Sequence, residues 1–409
     1  MEFIGHFRRL TPVQRNTFIA CFLGWALDAF DFFILIFCVS ALATQFQAKV
    51  SAISEAIFLT LAMRPVGAFL FGVMADRFGR RPTLMVDIIA YSVFELASAF
   101  APSLKVFLIL RAFFGIAMGG EWGVGAALAF ETLPAEGRGF FSGLLQEGYV
   151  VGYLMAALVY GTLFPIFGWR GMFVIGALPA FLVIYIRSKV EESPAWLQGQ
   201  VSRKAESHLG RDILSHAGIF LFLVVLMFAF NLFSHGTQDL YPTFLQKNLQ
   251  FAPKTVSFIA IVYSVGALLG GILFGTWSER IGRRRAIVIA ATLTIPLIPL
   301  WVYSRTVPML ALGGFLMQFM VQGAWGVIPA HLNELSPPAV RGTLPGFAYQ
   351  VGNLLASRSS VIQAKMAERR YGNFYPPVFA WTVVLVAALV ALVTLSGGEK
   401  RGADMTETR

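Results

Sequence analysis

The chain has 409 residues, 57% of them hydrophobic and 13% charged, with a mean hydropathy of +0.69. That balance excludes a water-soluble domain and places the chain in a membrane. Its formal charge of +10 does not call for a nucleic-acid partner, because the basic residues fall in short clusters between apolar runs and build no aromatic-studded patch.

The polar start, MEFIGHFRRLTPVQRN, runs into the first apolar segment with no small-residue cleavage site, so the first span is expected to be retained. Apolar segments follow at about 17 to 42, 53 to 75, 82 to 100, 104 to 130, 139 to 163 and 169 to 187. After a polar linker they resume at about 215 to 245, 254 to 277, 285 to 303, 307 to 333, 341 to 364 and 376 to 396, each near the ~20 residues a bilayer requires. The expected division is therefore a first half at 1–187, a linker at 188–214 and a second half at 215–409. Cys21 and Cys38 share the first run, about 25 Å apart along a helix and beyond disulfide reach. With both termini in the cytoplasm, 20 of the 32 Lys and Arg residues lie on the inner side against nine outside. The positive-inside bias thus sets the expected orientation and explains the basic charge.

An internal repeat joins the halves. GVMADRFGRRP at Gly72 returns as GTWSERIGRRR at Gly275, an offset of 203. The same offset carries Gly120, Trp122, Gly123 and Val124 onto Gly323, Trp325, Gly326 and Val327, Glu131 onto Glu334, and Arg138-Gly139 onto Arg341-Gly342. Three matches in one register predict a duplicated six-helix bundle.

The G-x-x-x-[DE]-R-x-G-R-R loops after spans two and eight resemble the signature of the major facilitator superfamily. The resemblance runs over the whole chain and extends to Arg111 in RAFFGIAMGG and to VEESPAW after span six. It implies an all-α membrane protein with the major facilitator fold: 12 transmembrane helices in two pseudo-symmetric six-helix bundles. Such a protein works in the cytoplasmic (inner) cell membrane, without cofactor or metal, as a monomer driven by the proton gradient. Gly72, Asp76, Arg77, Gly79 and Arg80, with Gly275, Glu279, Arg280, Gly282 and Arg283, are then the expected gating residues. Each loop acid can meet a helix N-terminus or a loop arginine and latch the bundles. Plain positive-inside anchoring explains the arginines but not the paired glycines and acids.

Charges inside spans cost roughly 2.5 to 3.5 kcal/mol each on insertion scales, so each retained one is a candidate. Asp28 and Asp31 share a face of span one, and one of them is placed to partner Arg111 of span four. A carboxylate that alternates between a proton and an arginine couples protonation to helix movement; a permanent structural pair is the plainer role, and the resemblance favours coupling for Asp31 and Arg111. Arg64, midway through span two and without an acidic neighbour in sequence, is expected to bind a substrate carboxylate through its fork. Arg358 in span eleven sits nearer the outer end, where snorkelling competes with function, beside a polar stripe of Gln350, Asn353 and Ser357. Asp87, Glu95, Glu121 and Glu147 are expected to bond across helices, and Gln318, Gln322 and Trp325 to share a cavity face. His331 is expected to be a satisfied interfacial histidine, and the glycines of span eight to mark close helix contact.

Span seven holds the densest polar group of the chain, NLFSHGTQDLYPT. Asn231, Ser234, His235, Thr237, Gln238, Asp239 and Thr243 match N-x-x-[ST]-H-x-[ST]-Q-D-x-x-x-T in full. This resembles the seventh-helix signature of lactate and pyruvate proton symporters, in the sialate:proton symporter branch of the superfamily. The resemblance implies that His235 and Asp239 belong to the substrate and proton path, and that Asn231 and Gln238 help hold the substrate. One turn apart, an imidazole and a carboxylate can also share a proton on their own account; the plainer reading is a network that only joins spans. The expected partners are a small organic anion, protons and the lipid bilayer. Alternatives are symport of another organic anion such as sialic acid, or a membrane sensor that moves nothing. An ATP-driven pump or a membrane enzyme is disfavoured, because neither a G-x-x-x-x-G-K-[ST] loop nor an H-E-x-x-H pair occurs.

Overall fold

Each apolar run, unable to satisfy its backbone polar groups from lipid, closes them internally as helix. The computed structural model describes residues 10–133, 141, 144–193, 196–197, 217–336 and 344–399, with the side chains of Asp76, Phe130 and Asn333 excepted. Its helices are α1 Pro12–Gln45, α2 Val50–Phe78, α3 Arg80–Ala99, α4 Leu104–Thr132, α5 Gly148–Ile175 and α6 Leu182–Lys189. Then come α7 Ala217–Gln238, α8 Tyr241–Lys247, α9 Pro253–Ile281, α10 Arg283–Leu293, α11 Val307–Leu335, α12 Leu344–Ala356, α13 Ser359–Arg370 and α14 Pro376–Ser396. No strand occurs among the described residues, and nine spans among them are long and apolar enough to cross a membrane by length and composition.

Three of the expected twelve do not stand separately among these nine: the fourth, over α4, is not one of them, the fifth and sixth fall together in Leu144–Ile175, and the eleventh is divided. α5 runs through two spans because only Gly168, at φ 62° and ψ −168°, kinks it. The seventh span breaks after Gln238 into α7 and α8, with Pro242 in the first turn of α8. Proline cannot continue the ladder of the preceding turn, so the helix restarts there. The eleventh span breaks at Ser357 and Arg358 between α12 and α13.

Backbone contacts group Met1–Leu35, Leu59–Ala156 and Phe167–Ser207 into one unit. They group Ile36–Phe58, Ala157–Ile166 and His208–Arg409 into the second. In the first unit α3 packs on α4 and α6. In the second, α9 packs along α11, α7 lies between α12 and α14, and α10 lies against α11 and α14. Exposed apolar side chains such as Phe69, Ile166, Phe181, Leu385 and Leu392 give both units a surface suited to hydrocarbon.

The sequence repeat is also a repeat of packing. A Cβ at Gly67 would fall on the Ile116 carbonyl of α4, and one at Gly270 on the Phe319 carbonyl of α11, both pairs related by the offset of 203. Gly266 and Gly326 admit neighbouring backbone in the same way, which is the close helix contact expected of span eight. Gly79 and Gly282, also one offset apart, hold φ/ψ of 110°/156° and 99°/150° where α3 and α10 begin. That region is essentially closed to residues with a Cβ, so both loops require glycine.

Candidate functional site

In the first unit, α1 brings Asp28 and Asp31, α2 Arg64, α3 Asp87 and Glu95, and α4 Arg111 and Glu121, all at most 1% exposed. Arg64 precedes Pro65 inside α2, and the α4 backbone at Gly119 closes on its carbonyl. Its guanidinium lies 5.8 Å from the Trp25 ring, and Nε and Nη2 have no hydrogen-bond partner. Asp28 is within electrostatic reach of Arg64, but both its oxygens are also without a partner. A buried guanidinium fork that no carboxylate among the described residues closes is shaped to take a carboxylate from a ligand.

Arg111 does not meet Asp31 or Asp28 in an ion pair. Its Nη1 pairs with Glu95 of α3, while its guanidinium carbon lies 3.8 Å from the Phe114 ring centroid. Asp31 sits beside Glu95, since a Cβ at Gly176 would touch both side chains, and its own oxygens accept no hydrogen bond. Spacing alone could not rank the acids of two different helices against one arginine. The bonding expected of Glu95 across helices is thus present.

In the second unit the span-seven signature gathers at the end of α7. His235 and Asp239, both buried, are joined Nδ1 to Oδ1 at 3.1 Å, and the other Asp239 oxygen has no partner. Asp239 is the first residue past the end of α7, where chain polarity and the helix break coincide. In transporters, discontinuous helices of this kind present polar groups to substrate and ions. Tyr263 donates its hydroxyl to Gln238 Oε1 at 3.3 Å, and Gln318 of α11 donates Nε2 to Thr237 Oγ1 at 3.0 Å. Asn231 donates Nδ2 to the Met227 carbonyl of its own helix at 2.8 Å. On α12, which packs against α7, Asn353 is fully buried with neither amide atom bonded, and the Gln350 carbonyl is also without a partner. Unmet buried amides of this kind are costly unless something else meets them. His331 departs from its expected satisfied state, because it is fully buried and neither ring nitrogen has a partner. Arg358 stands away from the site, 54% exposed, 3.8 Å from Glu55 and 4.2 Å from the Phe58 ring centroid.

The two repeated loops form one arrangement twice. Arg80 pairs with Glu131 at 3.2 Å and Arg283 with Glu334 at 3.1 Å, one offset apart. The N-terminus of α3 points its Arg80 and Arg81 amides at Glu192 (3.1 and 3.2 Å), and that of α10 points its Arg283 amide at Glu399 (2.7 Å). These carboxylates complement the positive end of each helix. Glu279, expected at a helix N-terminus or on a loop arginine, is exposed, and the helix N-terminus is taken by Glu399, because side chains in the last turn of α9 lean back along their own helix. Arg77 and Arg280 are exposed as well, a Cβ at Gly72 would meet open space and one at Gly275 would stand 3.2 Å from the Gly326 carbonyl. The Asp76 side chain, Arg138-Gly139 and Arg341-Gly342 lie outside the described residues. Sequence reading missed Glu192 and Glu399 as helix caps and gave Glu131 and Glu334 no role. The last two carried a signal, since they recur in register; the first two are 207 apart and fall out of it.

Residues 21–240 match the profile described as "Major Facilitator Superfamily", and residues 217–395 one described as "Sugar (and other) transporter". A "Carboxylic acid transporter protein homolog" of Saccharomyces cerevisiae is 30% identical over 90% of this chain, which spans 63% of that protein's length. The "Sialic acid transporter NanX" of Escherichia coli is 28% identical over 95% of each chain. Among solved structures, the partially occluded, inward-open xylose transporter XylE from E. coli superposes with a TM-score of 0.77 at 18% identity, covering 96% of this chain and all of that one. With more than half of its length in that first match and a helical packing that repeats with its sequence, this multi-pass membrane chain belongs to the major facilitator superfamily of transporters.

Proposed function

We propose that the chain is a secondary active transporter that moves a short-chain monocarboxylate, of the lactate or pyruvate type, together with a proton by alternating access. The observation that carries the reading is the His235–Asp239 pair, set in a complete span-seven signature where α7 breaks. An imidazole and a carboxylate joined this way exchange a proton with little movement. Arg64 supports the anion side of the reading, because its buried fork has no carboxylate of its own. Asn231, Gln238, Gln350 and Asn353 would hold the hydroxyl or keto oxygen, while Asp28, Asp31 and Arg111, the last through Glu95, would couple the proton to helix movement. The two loop clusters around Gly79 and Gly282 would act as gates. Both termini face the cytoplasm in an inner cell membrane, and the two six-span halves supply the alternation.

Sialic acid is the second reading, and the similarity to NanX over 95% of each chain favours it. A sugar acid needs more hydroxyl-binding groups than a three-carbon acid. Labelled lactate uptake into proteoliposomes, challenged with excess lactate, pyruvate, acetate or sialate, separates the two. Block by lactate and pyruvate alone is the expected result; block by sialate alone, with no saturable lactate uptake, overturns the monocarboxylate reading.

A further inference from the structure

The offset of 203 carries Trp122 and Gln146 of the first unit onto Trp325 and Tyr349 of the second. In the first unit the Trp122 indole donates Nε1 to Gln146 Oε1 at 3.4 Å. In the second the same two positions meet again, but ring against ring, with the Trp325 and Tyr349 centroids 5.9 Å apart at 85°. A phenol ring stands where the amide acceptor stood. The Trp325 indole nitrogen is buried and has no hydrogen-bond partner among the described residues. Indole N–H donates and cannot accept, so what it lacks is an acceptor.

The ring stands among the helices of the candidate site. α11 sets it against Phe230 of α7, with centroids 5.5 Å apart at 85°, and against Tyr349 of α12. Phe230 immediately precedes Asn231; Tyr349 immediately precedes Gln350 and stands one turn before Asn353. Gln350 Oε1 and both amide atoms of Asn353 are also unmet. Two edge-to-face contacts hold the indole plane and with it the line of the N–H. Leaving that donor dry costs free energy, and the Gln146 pair shows that the repeated fold admits an acceptor at this position. The second unit keeps the donor for something other than protein.

We propose that Trp325 is a specificity-determining residue of the substrate site, whose N–H donates to the oxygen on the carbon next to the substrate carboxylate. That oxygen is the hydroxyl of lactate or the keto oxygen of pyruvate. The proposal rests on the monocarboxylate reading and narrows it, from short-chain acids in general to acids with an oxygen at C2. In that reading the carboxylate goes to the charged fork of Arg64, which leaves the neutral oxygen for a neutral donor. Hydroxyl and keto oxygens both accept, so one N–H serves both, whereas a plain alkyl carbon leaves it unmet.

The test is calorimetric titration of the purified protein in detergent with lactate and with propionate, which keeps the three carbons and the carboxylate and lacks only the C2 oxygen. The unsubstituted protein is expected to prefer lactate. Trp325→Phe keeps an aromatic ring between Phe230 and Tyr349 and removes the N–H; it should lower the lactate-to-propionate affinity ratio by about 2- to 12-fold, the worth of one neutral hydrogen bond. Tyr349→Gln sets in the second unit the acceptor that Gln146 provides in the first. By occupying the N–H it should lower the same ratio, and it decides the matter if Trp325→Phe does not fold. A ratio that holds in the folded variants overturns the proposal, as does a loss of affinity shared equally by lactate and propionate, which makes Trp325 a packing residue. An unsubstituted protein that binds lactate and propionate alike overturns the proposal and leaves the monocarboxylate reading standing. One that binds neither overturns that reading itself.

Discussion

Arg64→Gln separates a ligand-binding arginine from a structural one by the sign of its effect on the empty protein. Breaking a buried ion pair by removing one partner typically costs about 3 to 5 kcal/mol. Arg64 has no such pair: it is 1% exposed, and its Nε and Nη2 have no partner. Asp28 lies within electrostatic reach of Arg64 but closes no hydrogen-bonded pair with it; removing the charge therefore relieves desolvation while giving up only that unpaired attraction, so the variant should unfold no earlier than the original chain without ligand. Binding should move the other way. Loss of a charge-assisted fork to the substrate carboxylate costs about 1.5 to 3 kcal/mol, roughly 10- to 150-fold in affinity. At 100 times its Kd, lactate stabilises the original chain by about 2.7 kcal/mol; a variant bound 100-fold more weakly gains about 0.4 kcal/mol at the same concentration. Thermal unfolding in detergent, with and without lactate, reads both quantities. A variant destabilised by several kcal/mol when empty, yet still stabilised by lactate, would refute the assignment and make Arg64 structural.

Three further outcomes follow from named contacts. Asp239→Asn preserves the shape of the contact with His235 but removes a proton acceptor, so proteoliposomes should keep lactate counterflow and lose acid-driven accumulation. Gly79→Ala and Gly282→Ala each place a Cβ in a backbone region that costs on the order of 1 to 3 kcal/mol, and against Glu192 or Glu399 respectively. Both should lower the unfolding midpoint by similar amounts, and a neutral result at either position contradicts the paired-loop description. Asn353→Leu replaces a buried amide with two unmet atoms. It should raise the stability of the empty protein by about 1 to 3 kcal/mol while weakening lactate binding in an equilibrium binding assay.

Much of the fold was legible because a bilayer leaves few choices. Hydropathy located the spans, and the repeat predicted two like halves; the structure adds that the close approach at Gly67 and Ile116 returns at Gly270 and Phe319. The polar group at the end of span seven was legible too, since His235 and Asp239 are one turn apart on the same helix. Contacts between helices far apart in sequence were not. Arg111 could have met Asp31 or Glu95, and only the packing of α3 on α4 decides for Glu95. Glu192 and Glu399 come from beyond the last span of each half, where no periodicity relates them to the loops they cap.

Coupling of one proton to one monocarboxylate anion is the central claim, and such a step moves no net charge. Lactate uptake by proteoliposomes should therefore be measured under an imposed pH step and, separately, under a potassium-diffusion potential. The account predicts about tenfold accumulation per pH unit, worth about 1.4 kcal/mol, and almost no response to the potential. Accumulation driven by the potential and indifferent to pH would contradict it.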